Sequence, residues 1–252
     1  MTDFYKKNKK ILLTVLSAIL FVGLWWLCSL AYGKPLLLPA PPAVFAAFGE
    51  LLATRAFWGA LLGSVGRILL GTLLGIAVGL LAGVLCYASQ ALSYLISPLF
   101  SIVRATPVAC FIILAWVFIG SDALPVFISA LMVAPVMLTG TVTGLESTDA
   151  RLLEAAGAYR LTFIQRVRCC YLPALSPHFR SAAINCTGLA WKAGIAAEII
   201  VKTEDSLGAG IWNAKSWEVN YDELFAWTVA VIAISLGFEW LLRFLLKERR
   251  GA

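Results

Sequence analysis

Charge is scarce in this sequence, and so are the residues that usually carry catalysis. Only 13% of the 252 residues are Asp, Glu, Lys or Arg, against about a quarter in a soluble domain, so a fully solvated exterior is excluded. His178 is the single histidine and stands beside Pro177; one imidazole at the edge of an apolar stretch makes neither a metal set nor a triad. The chain contains no G-x-x-x-x-G-K-[ST] loop, no H-E-x-x-H and no G-x-S-x-G, so it holds no motif for hydrolysing nucleotide, peptide or ester, and no catalytic residue is assigned. Cys28, Cys86, Cys110 and Cys186 lie inside apolar runs, and Cys169 and Cys170 are adjacent in a basic segment. That spacing supports neither a disulfide framework nor a zinc site. Asn185-Cys186-Thr187 matches a glycosylation sequon only by chance, because it falls within an apolar span.

What is present is apolar. Residues of that class make up 61% of the chain and fall in blocks of about 20, each long enough to cross about 30 Å of hydrocarbon. The pattern predicts an all-α polytopic membrane protein with six crossings, near 11–32, 61–87, 99–119, 123–144, 181–201 and 222–246. The first run comes after Lys6, Lys7, Lys9 and Lys10 and resembles a signal peptide. It is longer than a signal core and has no small-x-small cleavage site after it, so a retained helix is expected. The net charge of +6 does not indicate nucleic acid, since the basic residues sit at block edges. Thirteen of them fall on one side of the six-crossing arrangement: Lys6, Lys7, Lys9, Lys10, Arg151, Arg160, Arg166, Arg168, Arg180, Arg243, Lys247, Arg249 and Arg250. The other side has four, Lys34, Arg55, Lys202 and Lys215. The positive-inside rule then puts both termini and the 145–180 loop in the cytoplasm of a multi-pass membrane protein. A single transmembrane domain over 1–252 is expected, with an N-terminal helix and outer segment over 1–60 and a core over 61–246.

Between the first two crossings, Pro41 and Pro42 precede Val44, Phe45, Phe48, Leu51 and Leu52 at helical spacing, which suggests a short helix in the outer interface or packed on the bundle. The second crossing carries Gly59, Gly63, Gly71, Gly75, Gly79 and Gly83, a four-residue series broken at Arg67. Small residues at this spacing let another helix backbone approach, and packing inside the same chain is the simpler reading. Charges inside crossings are informative because an ion in hydrocarbon is costly without a cavity or partner. Arg67, Arg104, Lys192 and Glu198 are of this kind, and Trp191, Gly194 and Glu198 share one helical face. They are either interhelical pairs or the lining of a translocation pathway.

The most specific segment is the 145–180 loop. Asp149 starts a helix predicted over 150–158; after a break near Tyr159 to Leu161, Thr162 and Gln165 have capping-box spacing, and Pro173 is expected to end the second helix. Its sequence from Glu154 to Pro173, EAAGAYRLTFIQRVRCCYLP, resembles the EAA loop of binding-protein-dependent ABC importer permeases of the type I fold. Glu154, Ala155, Ala156 and the pair Leu172-Pro173 match that pattern in residue and spacing. Arg160 stands where the family has glycine, and Gly157 comes three residues earlier. The resemblance covers about residues 35–248 and is closest to the nitrate, sulfonate and taurine branch, through LLLPAPPAVFAAFGELL from Leu36, SPLFSIVRATPVACFIILAWVFIG from Ser97, AWKAGIAAEII from Ala190 and SLGAGIWNA from Ser206. At Ser206 the family more often has glycine.

The resemblance implies a permease subunit of an ATP-driven importer. Two copies, or this chain with a paralogous permease, form the pore within membrane lipid. Cytoplasmic ATPase subunits hold ATP and Mg, receive the EAA loop, and leave this chain without a cofactor of its own. An extracytoplasmic binding protein delivers substrate, and the branch implies a small organic anion such as a sulfonate, taurine or nitrate-like compound, or a vitamin precursor. The rival reading is an ion-gradient-driven secondary transporter using Lys192 and Glu198 as coupling charges, but such folds show related halves and no repeat is evident. A membrane enzyme would need clustered catalytic groups at one face, and the sequence has none.

Overall fold

A computed structural model describes residues 2–34, 37–216 and 221–245. Lys247, Arg249 and Arg250, which carry part of the charge asymmetry, and Leu36 lie outside the described residues. All regular structure among the described residues is helical: α1 (Thr2–Tyr32), α2 (Pro41–Ala53), α3 (Arg55–Ala88), α4 (Gln90–Ala105), α5 (Val108–Trp116), α6 (Leu124–Glu146), α7 (Ala150–Ala158), α8 (Phe163–Arg166), a π-helical turn (Val167–Tyr171), α9 (Leu172–Val201), α10 (Leu207–Ser216) and α11 (Tyr221–Leu245). Five runs are long and apolar enough to cross a bilayer, and α4 with α5 makes a sixth if that pair is counted as one span.

Two expectations are corrected. The crossing placed over 99–119 is not one straight helix. α4 and α5 meet at 102°, because Thr106 precedes Pro107 and takes an extended conformation, φ −90° and ψ 134°, as steric conflict with the proline ring requires. Pro173, in turn, does not end a helix. The π-helical turn passes the backbone directly into α9, with Leu172 N–H donating to the Val167 carbonyl five residues back. Pro173 lies in the first turn of α9, where a missing N–H is tolerated. The span therefore runs unbroken from Phe163 to Val201, 39 residues, roughly 58 Å at helical rise. That is well beyond the hydrocarbon thickness.

The chain divides into two compact units. The smaller comprises residues 1–58 with 210–231. Thr54 begins α3 there, its hydroxyl accepting from Phe57 N–H at 3.2 Å. Ser29 Oγ donates to the Leu38 carbonyl at 2.8 Å, Trp25 stacks on Phe225, and Phe57 packs on Trp227. α2 starts with Pro41 in its first turn and buries Pro41, Val44 and Leu51, while Phe45 stays exposed.

The larger unit comprises residues 59–209 with 232–252. Within it α3 packs closely on α6. A Cβ on Gly71 or Gly79 would run into the carbonyls of Val126 or Ala134, and one on Gly75 or Gly83 would lie 2.6 Å from the Cβ of Val133 or Thr141. The ridge thus meets a helix of its own chain along successive turns. Gly59, at the start of the series, meets nothing. α6 packs in turn on α9: Ser129 Oγ donates to the Ala190 carbonyl at 3.2 Å, and Gly140 faces Ala182. Ile112, Leu124 and Ile128 close the core against Ala193, Ala197 and Val201 of α9. Lipid offers no hydrophobic drive between helices, so dispersion at such short separations is what holds them.

Candidate functional site

Local capping builds the 145–180 projection. Asp149 accepts from Arg151 N–H at 2.9 Å and opens α7. The helix closes with Leu161 N–H on the Ala156 carbonyl and Arg160 N–H on the Gly157 carbonyl, both 2.9 Å. This is a Schellman arrangement, whose penultimate position normally holds a glycine in the left-handed region. Arg160 occupies it with φ 51°, so the turn keeps the geometry that glycine serves at a cost of about 1 kcal/mol. Thr162 and Gln165 form both bonds of the capping box, and α8 leads through the π-helical turn into α9. Glu154, Ala155 and Gly157 are exposed, Ala156 is turned inward and seats the helix, and Leu172 and Pro173 are exposed at the head of α9. Sequence reasoning missed Tyr159, Phe163 and Ile164, which are 82%, 77% and 77% exposed on this projection. Their signal was available, since Tyr159, Phe163 and Ile164 put three large apolar or aromatic side chains within six positions of an arginine-rich segment.

Inside the span, α9 has two faces. Ala182, Ala183, Cys186, Ala190, Trp191, Gly194 and Glu198 are buried. Ser181, Asn185 and Lys192 are exposed, with Gly188 between them at i, i+4, i+7 and i+11, so they share the opposite face. Asn185 and Ser181 were also missed as a set, although their spacing with Lys192 shows it. Arg104, in the last turn of α4, is exposed and donates from Nη1 to Thr139 Oγ1 of α6 at 3.1 Å.

Arg67 and Glu198 meet. Arg67 Nε lies 3.2 Å from Glu198 Oε1, and the Glu198 side chain is fully buried. Its other oxygen accepts from Ser64 Oγ at 2.7 Å and from Gly208 N–H at 3.3 Å, while Ser64 Oγ accepts from Leu207 N–H at 2.9 Å. The carboxylate therefore caps the N-terminus of α10, where a negative charge is favoured. Arg67 Nη2 donates to the Asp205 carbonyl at 2.9 Å, and Asp205 and Lys202 both have positive φ. One buried acid thus ties α3, α9 and the tight 202–207 segment together.

A family model described as "Binding-protein-dependent transport system inner membrane component" matches residues 75–251. The chain belongs to this permease family. Of its relatives, a protein of Brucella melitensis biotype 1 named as an ABC transporter permease is 30% identical over 92% of this chain and 93% of its own length. One of Bacillus subtilis (strain 168) named for aliphatic sulfonates transport is 27% identical over 65% of this chain, the match spanning 59% of that protein. The solved structure of a bacterial ABC transporter involved in the import of the acidic polysaccharide alginate matches with a TM-score of 0.68 and 15% identity, over 99% of this chain and 100% of that one. That likeness concerns the fold. This permease is thus a membrane transport component, with helices arranged as in ABC importers.

Proposed function

We propose that this permease lines the path of a small organic anion through the inner membrane and is driven by ATPase subunits gripping α7 and α8. The observation that carries the reading is the unbroken run from Phe163 to Val201. It joins an exposed cytoplasmic projection to a span whose outward face bears Ser181, Asn185 and Lys192. Displacing α8 would move that face without a flexible link. Glu154, Ala155, Tyr159, Phe163 and Ile164 supply the docking surface, with Ala156, Gly157, Arg160, Leu172 and Pro173 setting its shape. An ammonium within a span is costly against lipid, so the Lys192 face turns toward a polar pathway completed by a second copy or a paralogous permease. Arg104, with its remaining guanidinium donors, suits the same anion, while Arg67, Trp191 and Glu198 hold the wall in place. ATP and Mg reside on the ATPase, and an extracytoplasmic binding protein presents the substrate. The relative named for aliphatic sulfonates transport supports an anionic cargo.

The test is uptake into proteoliposomes holding the permease, its ATPase and its binding protein, with taurine, alkanesulfonates and nitrate as cargo. ATP-dependent uptake is expected, and Lys192→Met should reduce it at least about tenfold while Lys215→Met leaves it unchanged. Uptake driven by a proton or sodium gradient without ATP would overturn the reading.

A further inference from the structure

The seam between α6 and α9 has two sides. Ser129 meets Ala190, Gly140 meets Ala182, and Gly144 meets Leu175 and His178, so the helices run antiparallel. Residues that follow the seam positions on each helix then turn to one side, and residues that precede them turn to the other. α3 closes the first side: its glycines meet Ala130, Ala134 and Thr141 of α6, and its Ile68 meets Gly194 of α9. The second side carries Thr139 and Thr143, one position before the α6 glycines, and Ser181, one before Ala182; all three are exposed. Asn185 and Lys192 continue that side along α9. Its polar groups are unused. Thr72, Thr187 and Thr228 donate to carbonyls one turn back, a common habit of hydroxyls in helices, whereas among the described residues the side chains of Thr143, Ser181 and Asn185 make no hydrogen bond. Arg67 is matched by Glu198, but among the described residues neither Arg104 nor Lys192 has a carboxylate partner. Arg104 donates from Nη1 to Thr139 Oγ1 at 3.1 Å, and that hydroxyl donates to the Pro135 carbonyl at 3.0 Å. The guanidinium is thus pinned to α6 at the level of Ser181, with further N–H donors free. Lys192 lies eleven positions beyond Ser181, roughly 16 Å along the helix. An unneutralised cation within a span is costly, and two on one polar face suit an anion that meets each in turn.

We infer that this face holds two separate anion stations, an inner one at Arg104 and an outer one at Lys192, and that Thr139 is the positioning residue of the inner one. The ligand is a singly charged oxoanion of the sulfonate class. At the inner station its oxygens accept from the free guanidinium N–H groups and from the hydroxyls of Thr143 and Ser181; at the outer one they accept from the ammonium, with the Asn185 amide in between. Stations in series let an anion be held firmly enough to enter and weakly enough to move on. The inference rests on the reading of this face as an anion path, and its test needs neither uptake nor ATP.

Ser181→Cys and Gly188→Cys are introduced one at a time into the full-length permease with its native cysteines replaced, reconstituted in nanodiscs with its ATPase. A Cβ on Gly188 meets nothing within 4 Å. Each thiol is treated with sulfonatoethyl methanethiosulfonate, itself a sulfonate, and with the trimethylammonium reagent of the same length, and the ratio of the two rates is read. At position 181, Arg104→Gln should lower the anion-to-cation ratio at least about tenfold, the effect of a unit charge about 6 Å away at an effective dielectric of about 40. Lys192→Met, screened by salt over the longer distance, should change it less than about threefold. At position 188 the two substitutions should exchange roles. Thr139→Val should lower the ratio at 181 about threefold and Thr139→Ser should restore it, a rescue that a mere packing role does not give. Arg104→Lys keeps the charge and should keep most of the ratio, which covers the case of a poorly folded glutamine variant. Equal falls at both positions from either substitution would mean one shared basin and overturn the inference. So would a ratio at 181 indifferent to Arg104→Gln, or a thiol there that reacts with neither reagent. Failed sulfonate uptake alongside the expected ratios would remove the cargo proposed for transport and support the stations.

Discussion

Replacing Glu198 tests the structural account most severely, because its carboxylate is fully buried and receives Arg67, Ser64 and Gly208 N–H together. Glu198→Ala leaves a guanidinium that is 19% exposed without its counter-charge. It also uncaps α10 and frees the Ser64 hydroxyl. Breaking a buried pair from one side costs about 3–5 kcal/mol. At about 2–4 °C per kcal/mol for a chain of this size, the apparent Tm should fall by roughly 6–20 °C, read by tryptophan fluorescence on heating in detergent. The partner substitution Arg67→Met strands the carboxylate instead and should cost a similar amount. The double variant Arg67→Met with Glu198→Ala removes both charges from low-dielectric surroundings and should be more stable than either single variant, with a coupling of about 2 kcal/mol or more. Two single losses that sum to the double loss within about 0.5 kcal/mol would mean that the residues are independent. The knot would then not hold the 202–207 segment.

Three further outcomes are expected. Arg160→Gly relieves a non-glycine residue at φ 51° and should raise stability by up to about 1 kcal/mol with transport retained, whereas Arg160→Val should lower both. Gly75→Leu forces a side chain onto Val133 and the Ala130 carbonyl and should cost about 3 kcal/mol by overpacking; Gly66→Leu, which meets nothing within 4 Å, should leave the apparent Tm unchanged. Glu154→Arg and Phe163→Ser alter exposed groups and should leave folding intact while ATPase association, measured by co-purification, falls at least about tenfold; full association in both would remove the docking role from α7 and α8.

Legibility tracked the range of the interactions. Asp149, Thr162 and Gln165 act on neighbours two or three residues away, so the start of α7 and the start of α8 were readable from the chain alone. The glycine ridge was readable too, since its repeat is written along one helix, but its partner α6 was not. The two prolines misled in opposite directions. Thr106-Pro107 carried a stop signal that apolar content outweighed, and Pro173 carried one that the preceding π-helical turn cancelled. Arg67 and Glu198 are 131 positions apart, and nothing local announces which charge meets which.

The π-helical turn also fixes a phase. Along an uninterrupted helix each added residue rotates the rest of that helix by about 100°, so the direction in which α8 presents Phe163 and Ile164 and the direction in which α9 presents Asn185 and Lys192 are locked to the number of residues between them. Val167–Tyr171 is wound more widely than the helices on either side, as if one residue had been let in and absorbed on the spot. A loop can absorb an added residue, but here a single insertion or deletion would swing the polar stripe of α9 into lipid or into α6. Length between Arg166 and Leu172 is therefore held by geometry as tightly as residue identity is held in a buried core.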